Sequence, residues 1–223
     1  TIPKSALDFF KKLQKSNNRE WFTEHKPEFK AIEAEVKLVY NEIYNRLNSH
    51  DEVDKLKLFR IYRDVRFSKD KTPYKTHFGG SFHRKKPNLR GGYYLHIQPN
   101  NESFLATGFW EPHKDDLLRI RKEFEMDSEP IRAILDQKEF KKFYKNFNQE
   151  YKVKTAPKGF DILDPNIDLI RLKSFFVVHE FSDAQVQSSN FAATVVSAFE
   201  LLRPYFDYMS DVLTTDLNGE SIL

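Results

Sequence analysis

The residues best equipped for chemistry lie in one run, RIYRDVRFSKDKTPYKTHF, Arg60 to Phe78. Arg60, Arg63, Arg66, Lys69, Lys71 and Lys75 face only Asp64 and Asp70. Six bases against two acids leave +4 on this run, while the whole chain carries +3. Guanidinium and ammonium groups at this density suit a phosphate or carboxylate, held by charge-assisted hydrogen bonds from Arg60, Arg66, Lys69, Lys71 and Lys75. Side chains must do the holding. Ser68 to Lys75 contains no glycine, and neither the Walker nor the dinucleotide pattern occurs. The competing account is that Asp64 and Asp70 pair with these bases and the remainder is a solvated face, as charge runs commonly are. From the residues alone, both accounts stand.

A proton-transfer group would come from His96, which alternates with apolar neighbours in GGYYLHIQP, or from Asp64 inside the basic run. A histidine satisfied within the structure is the ordinary alternative. Tyr62, Tyr94 and Gln98 share the polar parity and could line the same face. No metal site is assigned: His77, His83 and His96 lack a fixed ligand spacing, His179-Glu180 lacks a second histidine, and Asp161, Asp164 and Asp168 lack the glycine and terminal glutamate of a calcium loop. No serine sits in a nucleophile elbow. Zero cysteines exclude disulfides and thiolate chemistry and agree with a reducing compartment. Tyr62, Tyr94 or Trp110 could stack nucleic-acid bases above the basic strand, yet 21 phenylalanines and 10 tyrosines are first of all material for a core.

The elements that must position these groups follow from periodicity. Phe59, Ile61, Val65 and Phe67 alternate with Arg60, Tyr62, Asp64 and Arg66, which predicts a strand over 56–67 with the apolar set buried and a charged row outward. Thr76 to Arg84 is its expected partner, with Gly79-Gly80 expected to interrupt or bulge the pairing. Tyr93, Leu95 and Ile97, the turn Pro99-Asn100-Asn101, and Ser103 to Trp110 predict a hairpin. Before them, Ser5 with Asp8 predicts a capped first helix, and Asn17 with Glu20 a second cap. Pro27 marks a helix start, and Phe29, Ile32, Val36, Val39, Tyr40, Ile43 and Leu47 give one buried stripe. After them come short helices, with Ser128 as a cap, an edge strand at Lys152–Lys154, and a buried strand over Leu172–Phe181. A helix capped at Ser188 or Ser189 follows, and Pro204 should kink it or start a new helix through Phe206, Met209 and Leu213. Strands joined by short turns favour a meander over a parallel sheet. The expected fold is α+β, a central antiparallel sheet covered by N-terminal and C-terminal helices, in one domain over 1–223. No apolar run reaches the roughly 18 residues of a membrane span, and TIPKSALDFFKKL lacks a signal-peptide core, so a cytoplasmic protein without membrane partners is expected.

The run RIYRDVRFSKDKTPYKTHF, with NNREWF at Asn17 to Phe22, GGYYLHIQP, GFWEP at Gly108 to Pro112 and DILDPNIDLIRLKSF at Asp161 to Phe175, resembles the signature of domain-of-unknown-function family 2461. The resemblance spans nearly the whole chain. It implies a site drawn from Arg60, Arg63, Asp64, Arg66, Phe67, Ser68, Lys71, Pro73, Tyr74 and Lys75, with Tyr94, His96, Arg171 and Lys173. The family has no established activity, cofactor or substrate, so the resemblance leaves the cofactor unknown. The expectation is therefore a basic site for a phosphate-bearing or other anionic small ligand, with turnover left open. Its alternative is a non-enzymatic module that binds protein or nucleic acid through the same face.

Overall fold

The computed structural model describes Thr1 to Leu223. Two helices open the chain, α1 (Lys4–Lys15) and α2 (Arg19–Leu47). Four strands follow, β1 (Val53–Leu58), β2 (Phe78–Arg84), β3 (Gly92–Ile97) and β4 (Ser103–Phe109). Next come α3 (Lys114–Met126), α4 (Glu129–Leu135), α5 (Lys138–Tyr144) and α6 (Ile167–Ile170), then β5 (Phe175–Phe181). The chain closes with α7 (Asp183–Val186), α8 (Phe191–Glu200) and α9 (Arg203–Thr214). The strands form one five-stranded antiparallel meander in the order β1-β2-β3-β4-β5, so the α+β expectation holds. None of the helices is long and apolar enough to cross a membrane.

By compactness the chain divides into two units. One comprises Thr1–Phe82, Tyr94–Leu105 and Glu180–Ser197, the other His83–Tyr93, Ala106–His179 and Ala198–Leu223. In the first, the predicted stripe of α2 is buried from Phe29 to Leu47. Phe29 and Phe10 both close on Phe78 of β2, with ring centroids 5.8 and 4.8 Å apart. The Tyr40 hydroxyl donates to the Leu95 carbonyl at 3.0 Å, so the helix is tied to the strand that carries His96. In the second unit, Tyr205 of α9 donates to the Phe175 carbonyl at 2.6 Å and packs against Phe147. Phe124 closes on Phe175 from α3.

Several boundaries differ from the sequence reading. The strand expected over 56–67 ends at Leu58, and beyond it only the bridge Tyr62–Tyr74 survives. Pro73 has no N–H to donate, and the side chains of Asp64 and Asp70 take backbone donors of their own loop, so the ladder cannot continue. The alternation still describes an extended chain. Ile61 is buried and Phe59, Arg63 and Val65 are half-buried, whereas Arg60, Tyr62, Asp64 and Arg66 are exposed. It fails at Phe67, which is 97% exposed because the chain turns at Asp64–Arg66.

At the other boundaries, α1 starts after Pro3 with no side-chain cap, so Ser5 and Asp8 form no capping box. The cap of α2 is Asn18, whose side chain accepts from the Trp21 N–H; Asn17 is released for another task. Pro27 lies inside α2 rather than at its start, the long buried stripe outweighing one missing backbone bond. Ser128 caps nothing with its hydroxyl, which donates instead to Asn166. Lys152 contributes only a single bridge to Leu172. Pro204 stands in the first turn of α9, as expected.

Candidate functional site

The basic loop is braced by its own side chains. Arg63 donates through Nη1 to Asp70 Oδ2 at 2.5 Å, to the Thr72 carbonyl at 3.1 Å, and to the Thr72 hydroxyl. Asp70 in turn accepts from the Thr72 N–H at 2.9 Å. That backbone bond, with those from Arg63 and the Thr72 hydroxyl, draws the Asp70 pKa down to about 2. Arg66 grips Asp64 through Nη2 at 2.6 Å and Nε at 3.0 Å, and this holds the Asp64 carboxyl below its ordinary range. Lys71 donates to the Val65 carbonyl at 2.9 Å and closes the loop. The pairing of Asp64 and Asp70 with nearby bases is therefore real. It accounts for Arg63 and Arg66, and the carbonyls account for Lys71. Arg60, Lys69 and Lys75 form no ion pair, although the Arg60 charge adds to the lowering of the Asp64 pKa.

Lys75 is carried by a segment held in two ways. Its N–H donates to the Ile61 carbonyl at 2.7 Å. The preceding Tyr74 is clasped by Asn17, whose amide donates to the Tyr74 carbonyl at 2.9 Å and accepts from its N–H at 3.2 Å. Asn17 thus supplies, from the linker between two helices, the donor and acceptor that a neighbouring strand would. The Tyr74 ring is buried and stacked on Phe22 at 4.1 Å, so this tyrosine is a structural anchor. The Lys75 ammonium lies 5.4 Å over the Phe59 ring, with Lys57 at 5.4 Å from the same ring. Partial burial and the Arg60 charge both depress its pKa.

Beyond Lys75 the same parity brings His77, whose ring lies 4.1 Å from that of His96 on β3. His96 and Tyr94 project from the face of β3 opposite Tyr93, Leu95 and Ile97, and Phe104 of β4 stacks on the His96 ring at 4.5 Å. Along this face runs a chain of hydrogen bonds. Gln98 Nε2 donates to the Glu102 carboxylate, so Gln98 Oε1 is an acceptor and His96 Nε2, 2.9 Å away, carries the hydrogen. The other ring nitrogen, Nδ1, then accepts from the Tyr94 hydroxyl at 3.0 Å. Burial lowers the His96 pKa against the opposing influence of Gln98 and Glu102, and it pushes the Tyr94 phenol up to about 12. Both groups are neutral near pH 7.

The sequence-predicted residues thus fall into distinct places. Lys75, Tyr94 and His96 border one face, with Arg60 close enough for its charge to act on Lys75. Arg66 and Lys71 make no hydrogen bond or ring contact with Tyr94 or His96, being committed to their own loop. Lys69 is exposed. Arg171, in the second unit, donates to the carbonyls of Val153 and Lys154. No group of three or more His, Asp or Glu side chains is placed to hold a metal ion. Sequence reasoning missed Glu102, Phe104 and the clasp from Asn17. The antiparallel register that sets His77 beside His96 and Gly79 beside Tyr94 was the signal that could have joined His77 to the site.

A family model described as "Conserved hypothetical protein (DUF2461)" matches residues 5–208. The chain belongs to this family. No curated protein and no solved structure matches it. The DUF2461 match takes in the basic loop, the Asn17 clasp and the Tyr94–His96 face alike.

His77 gives this face a signature in pH. Burial, then the neighbouring His96 and Lys75, lower its pKa to about 3, against an ordinary imidazole value of about 6.5. The unfolded chain therefore binds a proton between these values that the folded chain refuses, so stability rises with pH across this window and falls on acidification. Urea midpoints taken from pH 6.5 down to 4.5, above the range where Asp70 titrates, are expected to decline. His77→Gln should make that decline shallower, leaving the part due to His96. Parallel slopes for the two proteins would show that His77 is not buried as described.

Proposed function

We propose that the protein binds an anionic small ligand, of the phosphate-bearing class, on the face bordered by Arg60, Lys75, His77 and Tyr94. One observation carries this reading: the Arg60 charge acts on a partly desolvated Lys75, and neither cation forms an ion pair, although the Arg60 charge also reaches the Asp64 carboxylate that Arg66 holds. Such an arrangement costs free energy until an anion enters it. Neutral imidazole and phenol groups alongside supply directional hydrogen bonds, and Phe59 supplies an apolar wall. The ion pairs of the loop support the same reading indirectly. By fixing Arg63, Asp64, Arg66 and Asp70 among themselves, they hold the 60–75 loop in shape and leave Arg60, Lys69 and Lys75 outside any ion pair, with Arg60 and Lys75 near the Tyr94–His96 face.

The test is a thermal-melt screen of inorganic phosphate, sugar phosphates and nucleotides. A ligand that binds only the folded state adds about 2.7 kcal/mol at a hundredfold excess over its Kd, or roughly 5–10 °C for a chain of this length. The expected result is such a shift in wild type and its loss in Lys75→Ala and Arg60→Ala. If no anion moves the melt, or if both variants shift as far as wild type, there is no anion site on this face.

A further inference from the structure

We propose that Tyr94 and His96 form a nucleophile–base dyad, in which His96 takes the phenolic proton so that the Tyr94 oxygen can attack an electrophilic phosphoryl, sulfonyl or acyl centre. The dyad itself rests on the hydrogen bonds of β3. Only the class of substrate, an anionic compound carrying such a centre, rests on the anion site proposed above.

An activated nucleophile requires a base within hydrogen-bond reach and a third group that orients the base. Tyr94 Oη stands 3.0 Å from His96 Nδ1. The far nitrogen of the imidazole is held by Gln98 at 2.9 Å, and Gln98 is fixed by the Glu102 carboxylate on the turn after β3. This network selects the tautomer with a free lone pair at Nδ1, the one form of neutral histidine that can accept the Tyr94 proton. Stacking of Phe104 on the imidazole at 4.5 Å keeps the ring in that plane.

The remaining contacts suit a reaction at the phenol. Phe59 and Phe104 stand 6.2 and 5.9 Å from the Tyr94 ring and offer apolar walls to an incoming group. Opposite the phenol, Gly79 has no side chain, and a Cβ there would come within 2.8 Å of Tyr94 Oη. Burial raises the phenol pKa to about 12, so a standing phenolate does not supply reactivity; transfer to His96 during attack does. In that step a bond forms from Tyr94 Oη to the electrophile. The leaving group departs with its electron pair, and the phenolic proton moves to Nδ1. The resulting imidazolium donates through Nε2 to Gln98, with the Glu102 charge behind it. Tyr94 and His96 are the catalytic residues in this scheme, and Gln98 and Glu102 are positioning residues.

Benzenesulfonyl fluoride tests the dyad without knowledge of the substrate. The S–O bond to tyrosine forms, the S–F bond breaks, fluoride leaves and the proton goes to the base. Peptide mapping after timed exposure reads each tyrosine separately. Tyr62 is the internal control: it is 45% exposed and packs on Phe22 and Tyr74, with no imidazole at its hydroxyl. Tyr94 is expected to label faster than Tyr62 despite being less exposed. His96→Gln should slow Tyr94 at least fivefold and leave Tyr62 unchanged, which also reports that the variant is folded. Faster labelling of Tyr62 in wild type, or a drop at Tyr94 of less than fivefold in the variant, overturns the dyad. A parallel arm with excess inorganic phosphate separates the two proposals. Protection of Tyr94 places the dyad in the anion site, whereas undiminished labelling leaves the dyad standing and removes the anion site.

Discussion

Replacing Gly108 by alanine is expected to cost about 4 kcal/mol, the sum of overpacking and a strained backbone. Gly108 sits in β4 with φ at +133°, a conformation open to glycine and poorly open to any residue with a Cβ. A Cβ built there would come within 2.7 Å of Phe176 Cα and still closer to the Phe175 carbonyl oxygen. Those atoms are backbone, so no side chain can swing away. β5 would have to move, and Phe175 within it accepts the Tyr205 hydroxyl and packs against Phe124 and Phe147. In a melt the substitution should lower the midpoint by roughly 8–16 °C. A loss under about 1 kcal/mol would mean that β4 and β5 are not apposed as described.

Arg84→Ala should be comparably severe, about 4 kcal/mol from lost packing and stranded acceptors together. The Arg84 side chain is wholly buried. Its guanidinium donates to the Arg90 carbonyl at 3.1 Å, to Ser210 Oγ at 3.3 Å and to Asp207 at 2.9 Å, and it lies 5.2 Å over the Phe206 ring. Alanine would leave a cavity under α9 and a carbonyl in it with one partner fewer. Asp207 itself is half-exposed and keeps Arg203, so its charge is not stranded. Met in place of Arg84 restores the aliphatic stem and is expected to recover roughly half of the loss. Urea midpoints for the two variants separate packing from hydrogen bonding. An alanine variant within about 1 kcal/mol of wild type would show the guanidinium to be expendable.

What could be read from the sequence was set by local periodicity. The stripe from Phe29 to Leu47 is a helix face because its spacing is satisfied by no other regular structure, and all seven of its residues are buried. The β3–β4 hairpin was legible for a similar reason: strict alternation on either side of Pro99-Asn100-Asn101, whose two asparagines adopt the positive φ that such a turn needs. Alternation misled at Phe59 to Phe67, because it reports an extended chain and says nothing of whether a neighbour can pair with it. Pro73 and the loop carboxylates decided that. The candidate site was legible in its members more than in its connections. Arg60, Lys75, Tyr94 and His96 could be named from type and parity. That Arg66 would turn back on Asp64, that Asn17 would clasp Tyr74, and that Glu102 would anchor the line through Gln98 to His96 depend on turns whose geometry no residue pattern encodes.

The internal ion pairs of the basic loop also separate two ranges of action. Each pair cancels itself, Arg63 with Asp70 and Arg66 with Asp64, yet four uncompensated cations still lie within sixteen residues. At contact distance only those that face a ligand matter. Farther out, up to the Debye length of about 8 Å at physiological ionic strength, the loop acts as a single positive pole on a chain otherwise near neutrality. In the proposed anion site, encounter and retention would then be governed by different residues: Lys69 and Lys71 would help draw an anion in, without any need to touch it once it has arrived.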